Sequence, residues 1–355
     1  MIKRLTITLT STLIVLAGAL FWYVSQPPDP GRLSDVSSVL RGTDGRIINL
    51  SLTERGFWRE PVRIDDIDPQ MIAVLTAYED QRFWQHSGVD LKAISRAVIN
   101  AIKLGQVSSG ASTLTMQTVR LLDTSLRDRT FKSKVLQMIG ALRLEYHWSK
   151  EEILEAYFTL APYGGNIEGI KAATEAWFQK TPEELTLNEI AILVALPQSP
   201  ERRRPDRFPT AAYKAKQVVL TKAAPRLNID RTTVDEVMDE PLPVRLSKPT
   251  SHALHLAQRL ASFNLMSSET SLHTDWQQEV ESILAKAIET RPHPIQAAAM
   301  IVERKTGLVR AYVGSADYGS INRKGAINYL TALRSPGSTL KPLVYAKALN
   351  RNLIG

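Results

Sequence analysis

The stretch 149-SKEEILEAYFTL-160 places Ile153, Leu154, Tyr157, Phe158 and Leu160 at steps of three and four, the spacing that gathers apolar side chains on one face of an α-helix. Ser149 with Glu152 three residues on forms a capping box, which fixes where the helix begins. The same period recurs in 69-PQMIAVLTAYEDQRF-83, 90-DLKAISRAVINAIKL-104, 130-TFKSKVLQMIGALRLEYHW-148 and 186-TLNEIAILVAL-196, with Asp90 and Thr186 as further N-cap candidates. An all-helical domain is therefore predicted from Pro69 to about Leu196. The proline-rich run 197-PQSPERRRPDRFP-209 closes it, and one more helix, from about Thr210 to Pro225, is expected to pack back. Within that run, 201-ERRRP-205 reads as a solvated basic loop near anionic headgroups.

Outside this core the pattern changes. Residues 32–65 carry short alternations such as 46-RIINL-50 that suggest strands. A second composition break, 241-PLPVRLSKP-249, precedes a helix near 274–290, and 296-QAAAMIVERKTGLVRAYVGS-315 reads as two strands around a 305-KTG-307 turn. A chain of 355 residues is long enough for two or three modules, each with its own core. A formal net charge of +8 favours acidic partners: phosphates, nucleic acid or an anionic membrane. With no cysteine, thiolate metal sites and thiol nucleophiles are excluded.

The N-terminus bears on location. After Lys3 and Arg4, the uncharged run 5-LTITLTSTLIVLAGALFWYV-24 is long enough as a helix to span a bilayer, and Phe21, Trp22 and Tyr23 suit its far interface. The competing reading is a cleaved signal peptide, with 17-AGA-19 as its small-residue site. The expected layout is an anchor over 1–25 with a cytoplasmic tail, a juxtamembrane segment over 26–59, the helical domain over 60–225, a linker over 226–294 and another module from 295.

Four polar insertions interrupt the helical module. In 77-AYEDQRFWQHSGVD-90 the carboxylates Glu79 and Asp80 stand beside Phe83 and His86. Residues 79 and 83 would be one helical turn apart, so that the ring desolvates the carboxylate. Taken alone, the pair better suits a solvated helix end, with His86 structural. The second insertion, 108-SSGASTLTMQTVR-120, is a glycine and hydroxyl-rich loop entering a helix, a place where amides and hydroxyls hold phosphate oxygens. The others are Lys134 and the helix of 150-KEEILEAYFTLAPYGGN-166.

In order, E-D-x-x-F-x-x-H-x-G, G-x-S-T-x-T-x-Q and K-x-x-I-L-E-x-Y resemble the family 51 peptidoglycan glycosyltransferases of class A penicillin-binding proteins, over roughly residues 60–225. That resemblance implies a mainly α, lysozyme-like glycosyltransferase domain behind one transmembrane helix, on the periplasmic side of the cytoplasmic membrane. It implies that lipid II is polymerised onto a growing glycan strand with release of polyprenyl pyrophosphate. Glu79 becomes the base, Asp80, Phe83 and His86 the pocket around it, and Ser112, Thr113, Gln117, Arg120 and Lys134 the residues that hold sugar and pyrophosphate. Arg120 stands where the family usually has lysine, Met116 replaces a glutamine, and Gln137 replaces a glutamate of the third family motif. Glu155 matches the family, with a structural role equally open. No cofactor is implied with certainty; the metal is unknown and a divalent cation remains open.

Further on, 334-RSPGSTLKPLVYA-346 resembles the S-x-x-K motif of penicillin-binding transpeptidases, with Ser338 as acyl nucleophile and Lys341 as its partner. An S-x-N motif and a K-T-G strand should follow the serine. The chain stops at Gly355, and its K-T-G precedes Ser338, so residues 295–355 are expected to be the incomplete start of an α/β transpeptidase domain. That argues against acyl transfer and β-lactam binding. The alternatives are a non-catalytic membrane-tethered scaffold and a lysozyme-like muramidase; nucleic acid fits least.

Overall fold

The computed structural model describes residues 2–104, 112–128, 130–247, 251–263, 265 and 267–353; the side chains at 2–10, 13, 97, 98, 100–104 and 267 lie outside that description. The chain is mainly helical. In order it forms α1 (Ile2–Ser25), β1 (Ser38–Arg41), β2 (Ile47–Ser51), β3 (Trp58–Arg59), α2 (Pro69–Glu79), α3 (Leu91–Leu104), α4 (Leu114–Leu122), α5 (Phe131–His147), α6 (Lys150–Leu160), β4 (Ile167–Glu168) and α7 (Ile170–Phe178). Then come α8 (Leu187–Ala195), α9 (Pro209–Leu227), α10 (Arg231–Asp239), α11 (Leu254–Ala261), β5 (Ser267–Glu269), α12 (Thr274–Glu289), β6 (Ala299–Val302), β7 (Val309–Val313) and α13 (Lys341–Asn350). Two compact units result: Met1–Ser38 with Leu50–Pro249, and Val39–Asn49 with Thr250–Gly355.

The first unit is built around α8. Every residue from Ile190 to Ala195 is buried, so this helix is apolar on all sides, as a central helix must be. Helices α2 and α9 pack against it, and α4 packs on α5 and α6. Local signals set these helices. Ser149 with Glu152 and Thr186 with Glu189 both form capping boxes, and Asp68 caps α2 ahead of Pro69, whose missing N–H costs nothing at the first helical position. Helix α9 runs through Pro225 to Leu227, beyond the expected stop, and ends on Asn228 in the left-handed region.

Among the described residues no helix is long and apolar enough to cross a membrane. The expected span 5–24 does fall on one helix, but the side chains of residues 5–10 and 13 lie outside the described residues. Where α1 ends, Arg143 of α5 donates to the carbonyls of Gln26 (2.9 Å) and Pro27 (2.7 Å) and lies over the Tyr23 ring. His147 meets the Val24 carbonyl at 3.0 Å.

Beyond α1, a buried ion network ties the N-terminal segment to the helices. Glu168 accepts from Arg32 at 2.6 and 2.7 Å and from Arg59 Nε at 3.0 Å, while Arg59 also donates to the carbonyls of Arg32 and Asp35. The parallel pair β3–β4 sets Arg59 beside Glu168.

Residues 226–294, expected to be a linker, hold helices α10, α11 and α12 among the described residues. Helix α10 stays with the first unit because the fully buried Lys216 ammonium of α9 donates to the carbonyls of Val237 (2.9 Å) and Glu240 (3.1 Å) and to Asn188 Oδ1 (3.0 Å). In the second unit the strand order is β2-β1-β5, with β1 parallel to β5, and β6 and β7 form an antiparallel pair. Ile48, Ala253, Leu272 and Tyr312 make its core, and a segment read as juxtamembrane supplies two strands of its sheet, β1 and β2. Lys305–Gly307 is the turn between β6 and β7.

Candidate active site

Helix α2 ends at Glu79, and Asp80 leaves the helix with φ −153°. That single break sends the two adjacent carboxylates to different places. Glu79 is half-buried at a cleft of about 310 Å³, and Asp80 is 6% exposed and turned inward. Because the helix stops there, Phe83 is not one helical turn from Glu79. It sits fully buried in a short 3-10 turn, with the Lys150 ammonium 4.4 Å from its ring centroid.

Asp80 is a structural fixture. Its carboxylate meets His86 Nε2 at 3.0 and 3.1 Å and accepts from the backbone N–H of Leu114 at 2.9 Å, the first residue of α4. A carboxylate at a helix N-terminus satisfies an orphan donor and is favoured by the helix dipole. Thr113 completes the cap by accepting from the Met116 N–H, and its hydroxyl donates to the Gly88 carbonyl at 2.6 Å. Phe83 and His86 are therefore packed behind the cleft and do not line it. Gly88 has φ +86°, and a Cβ there would stand 2.6 Å from the Ala141 carbonyl oxygen of α5. We expect Gly88→Ala to destabilise the protein by about 3 kcal/mol, combining a disfavoured φ with overpacking against backbone. A urea midpoint unchanged from wild type would contradict this.

Helix α4, oriented in this way, presents Thr113, Gln117 and Arg120 on one face at steps of four and three. Gln117 Nε2 donates to Glu79 Oε2 at 3.0 Å. The other oxygen, Oε1, accepts from Gln198 Nε2 at 2.6 Å. Lys134 Nζ of α5 donates to Ser112 Oγ. Burial, then the nearby Arg120 charge, hold the Lys134 amine below its ordinary value. Burial, then the nearby Glu79 charge, hold the phenol of the buried Tyr157 well above its ordinary value.

Of the residues expected from sequence, Glu79, Ser112, Thr113 and Gln117 line the cleft, with the inward-turned Asp80 at its inner wall, joined by Arg82, Arg96, Lys222 and Arg226. Arg82 grips Asp90, the cap of α3; burial pushes that carboxyl up, but the Ala93 amide and Arg82 outweigh it and hold it below its ordinary value. Part of the expected phosphate-holding loop, residues 108–111, lies outside the described residues. Gln137, in place of a family glutamate, is buried and donates to the Leu126 carbonyl at 2.8 Å, a bond an ionised carboxylate could not make. Glu155 accepts from the Ile64 N–H at 2.8 Å, a structural task. Among the described residues no three His, Asp or Glu side chains converge as they would around a metal ion.

Sequence reasoning missed Gln198, although it lies in the proline-rich run 197-PQSPERRRPDRFP-209 that closes the helical domain. It also misread 201-ERRRP-205. Arg203 donates to Gln198 Oε1 at 3.0 Å, and Arg204 is buried against Asp206 at 2.6 Å, so two of the three arginines point inward. In the second unit, Ser338 sits in a 3-10 turn directly before Lys341, the first residue of α13, and both are exposed.

A family model described as Transglycosylase matches residues 45–224. Penicillin-binding protein 1C of Escherichia coli (strain K12) is 40% identical over 301 residues, which is 84% of this chain and 39% of that protein. Penicillin-binding proteins 2D and 1F of Bacillus subtilis (strain 168) are 30% and 31% identical over 88% and 82% of this chain and 47% and 43% of their own lengths. The chain thus spans between two fifths and one half of these relatives.

Proposed function

Because the chain belongs to the transglycosylase family, we propose that it polymerises lipid II into glycan strands, with Glu79 as general base. The observation that carries this reading is the Glu79 carboxylate at a cation-lined cleft, each oxygen held by a neutral amide donor. Such a carboxylate is oriented without being neutralised, which is what deprotonating an alcohol requires. Glu79 takes the proton of the acceptor sugar's 4-hydroxyl, and that oxygen bonds to the anomeric carbon of the donor. The bond to pyrophosphate breaks, and its electron pair leaves with the polyprenyl pyrophosphate, inverting the anomeric centre. The N-terminus of α4, Ser112, Thr113, Lys134 and Arg120 offer donors and positive charge for the leaving group.

The same reading takes α1 as a membrane anchor and sets the cleft on the periplasmic side, close to a lipid-linked donor. Acyl transfer through Ser338 and Lys341 belongs to the relatives' second module, of which this chain carries the S-x-x-K element. The bond of Gln137 to the Leu126 carbonyl gives the amide a structural use, so its replacing the family glutamate is no argument for an inactive scaffold.

Labelled lipid II incubated with the protein in detergent should give glycan strands on a gel, while preformed glycan should stay intact. Shortened preformed glycan would indicate a muramidase, and an unchanged lipid II band a scaffold. Since Lys134 is held below its ordinary value, it loses its proton earlier as pH rises. Binding of a pyrophosphate analogue should accordingly weaken on the alkaline side, and Lys134→Arg should carry tight binding to higher pH. Identical alkaline profiles for both proteins would remove Lys134 from the anion site.

A further inference from the structure

We propose that Arg203 is a positioning residue for Glu79, acting through the side-chain amide of Gln198. The inference rests on Glu79 as the base, and it adds what keeps that carboxylate aimed. An amide side chain can present either its oxygen or its NH2 group to a neighbour, and only the surroundings choose. Glu79 can only accept when ionised, so Gln198 must offer NH2, which it does at 2.6 Å. What prevents the opposite orientation lies on the far side of the amide. Arg203 Nη1 stands 3.0 Å from Gln198 Oε1, and the Tyr78 hydroxyl stands 3.4 Å from the same oxygen. A guanidinium has five donors and no acceptor. Rotating the amide would set NH2 against Arg203 and oxygen against the Glu79 carboxylate, two repulsive contacts in place of two hydrogen bonds.

Arg203 is itself fixed, since the same Nη1 donates to the Ala195 carbonyl at 2.7 Å, near the end of the central helix. The sequence from Leu196 to Pro205 contains Pro197, Pro200 and Pro205, which restrict the backbone carrying both residues. The chain of donors therefore runs from a rigid helix end, through Arg203 and Gln198, to Glu79. Its placement also keeps the cation one side chain away from the carboxylate. Arg203 orients the base without forming an ion pair that would tie up its lone pairs. Gln117 secures the other oxygen from α4, so the carboxylate is gripped from two separate elements.

The test uses the full chain with labelled lipid II, reading kcat and KM separately. Arg203→Met, similar in length but without donors, should lower kcat about tenfold with KM within about twofold, because holding a reacting group in geometry acts on the chemical step. Arg203→Lys, which still only donates, should recover most of the loss. Combined with Gln198→Ala, Arg203→Met should add little, since both changes remove the same support. Equal kcat for Arg203→Met and wild type, or fully additive losses, would overturn the proposal. A wild type that makes no polymer would instead defeat the assignment of function. In that case crystal structures of both proteins decide: the Gln198–Glu79 contact should be lost in Arg203→Met, and its retention would overturn the inference.

Discussion

Glu79→Gln should lower the rate of glycan synthesis from lipid II by about a thousandfold, the range that a positioned base contributes. The substitution removes the cleft carboxylate whose two oxygens are both held by side-chain amides. It leaves the backbone unaltered, because Glu79 is half-buried at a helix end and a glutamine of the same size can keep accepting from Gln198 through its oxygen while the Gln117 amide turns its own oxygen toward the new NH2. The melting temperature should therefore move by no more than about 3 °C. Glu79→Asp is a sharper probe. The carboxylate survives but is withdrawn by one methylene from Gln117 and Gln198, so a loss of about a hundredfold is expected from misplacement alone. Gel analysis of labelled strands reads both. Undiminished polymer from Glu79→Gln would sink the assignment of the base, whereas a large thermal shift would show that the residue supports the fold.

Glu168→Ala should be the most damaging change away from the cleft, costing about 3–5 kcal/mol. Arg32 and Arg59 both direct guanidinium groups at Glu168, and all three residues are buried, Arg59 completely. Removing the carboxylate leaves two buried guanidinium groups with backbone carbonyls but no close counter-charge; the Asp35 carboxylate reaches Arg59 only at 3.8 Å. The melting temperature should fall by roughly 10 °C. Replacing all three residues with apolar side chains of similar volume should restore much of that loss, since a buried ion network often does no better than well-packed hydrocarbon. A melting temperature within about 2 °C of wild type for Glu168→Ala would mean that the network contributes little.

Much of the helical architecture was legible because its signals are local. The capping boxes at Ser149 and Thr186 and the three- and four-residue apolar steps lie within a few turns of chain. Glu79 was legible only through its company: the hydroxyl-rich start of α4, and Lys134 beyond it. Which of the two adjacent carboxylates would face the cleft was not, because that depends on the helix ending at one residue and not the next. Gln198 lies 119 residues from Glu79 in sequence, so no window of chain contains both. Arg203 looked like a solvated charge because composition says nothing about direction. The pairing of β1 with β5 is equally remote, joining Val39 to Ser267, and a parallel register leaves no turn signature between its strands.

The joint between α1 and α5 has a mechanical consequence. Arg143 and His147 take up the carbonyls of Val24, Gln26 and Pro27, so the chain is tied to α5 where it leaves α1. Lys134 lies nine residues back along the same α5, a rise of about 14 Å. If α1 is the anchor, α5 acts as a fixed gauge: it sets the spacing between the membrane exit and the Lys134 ammonium, and hence the reach over which a pyrophosphate can be drawn.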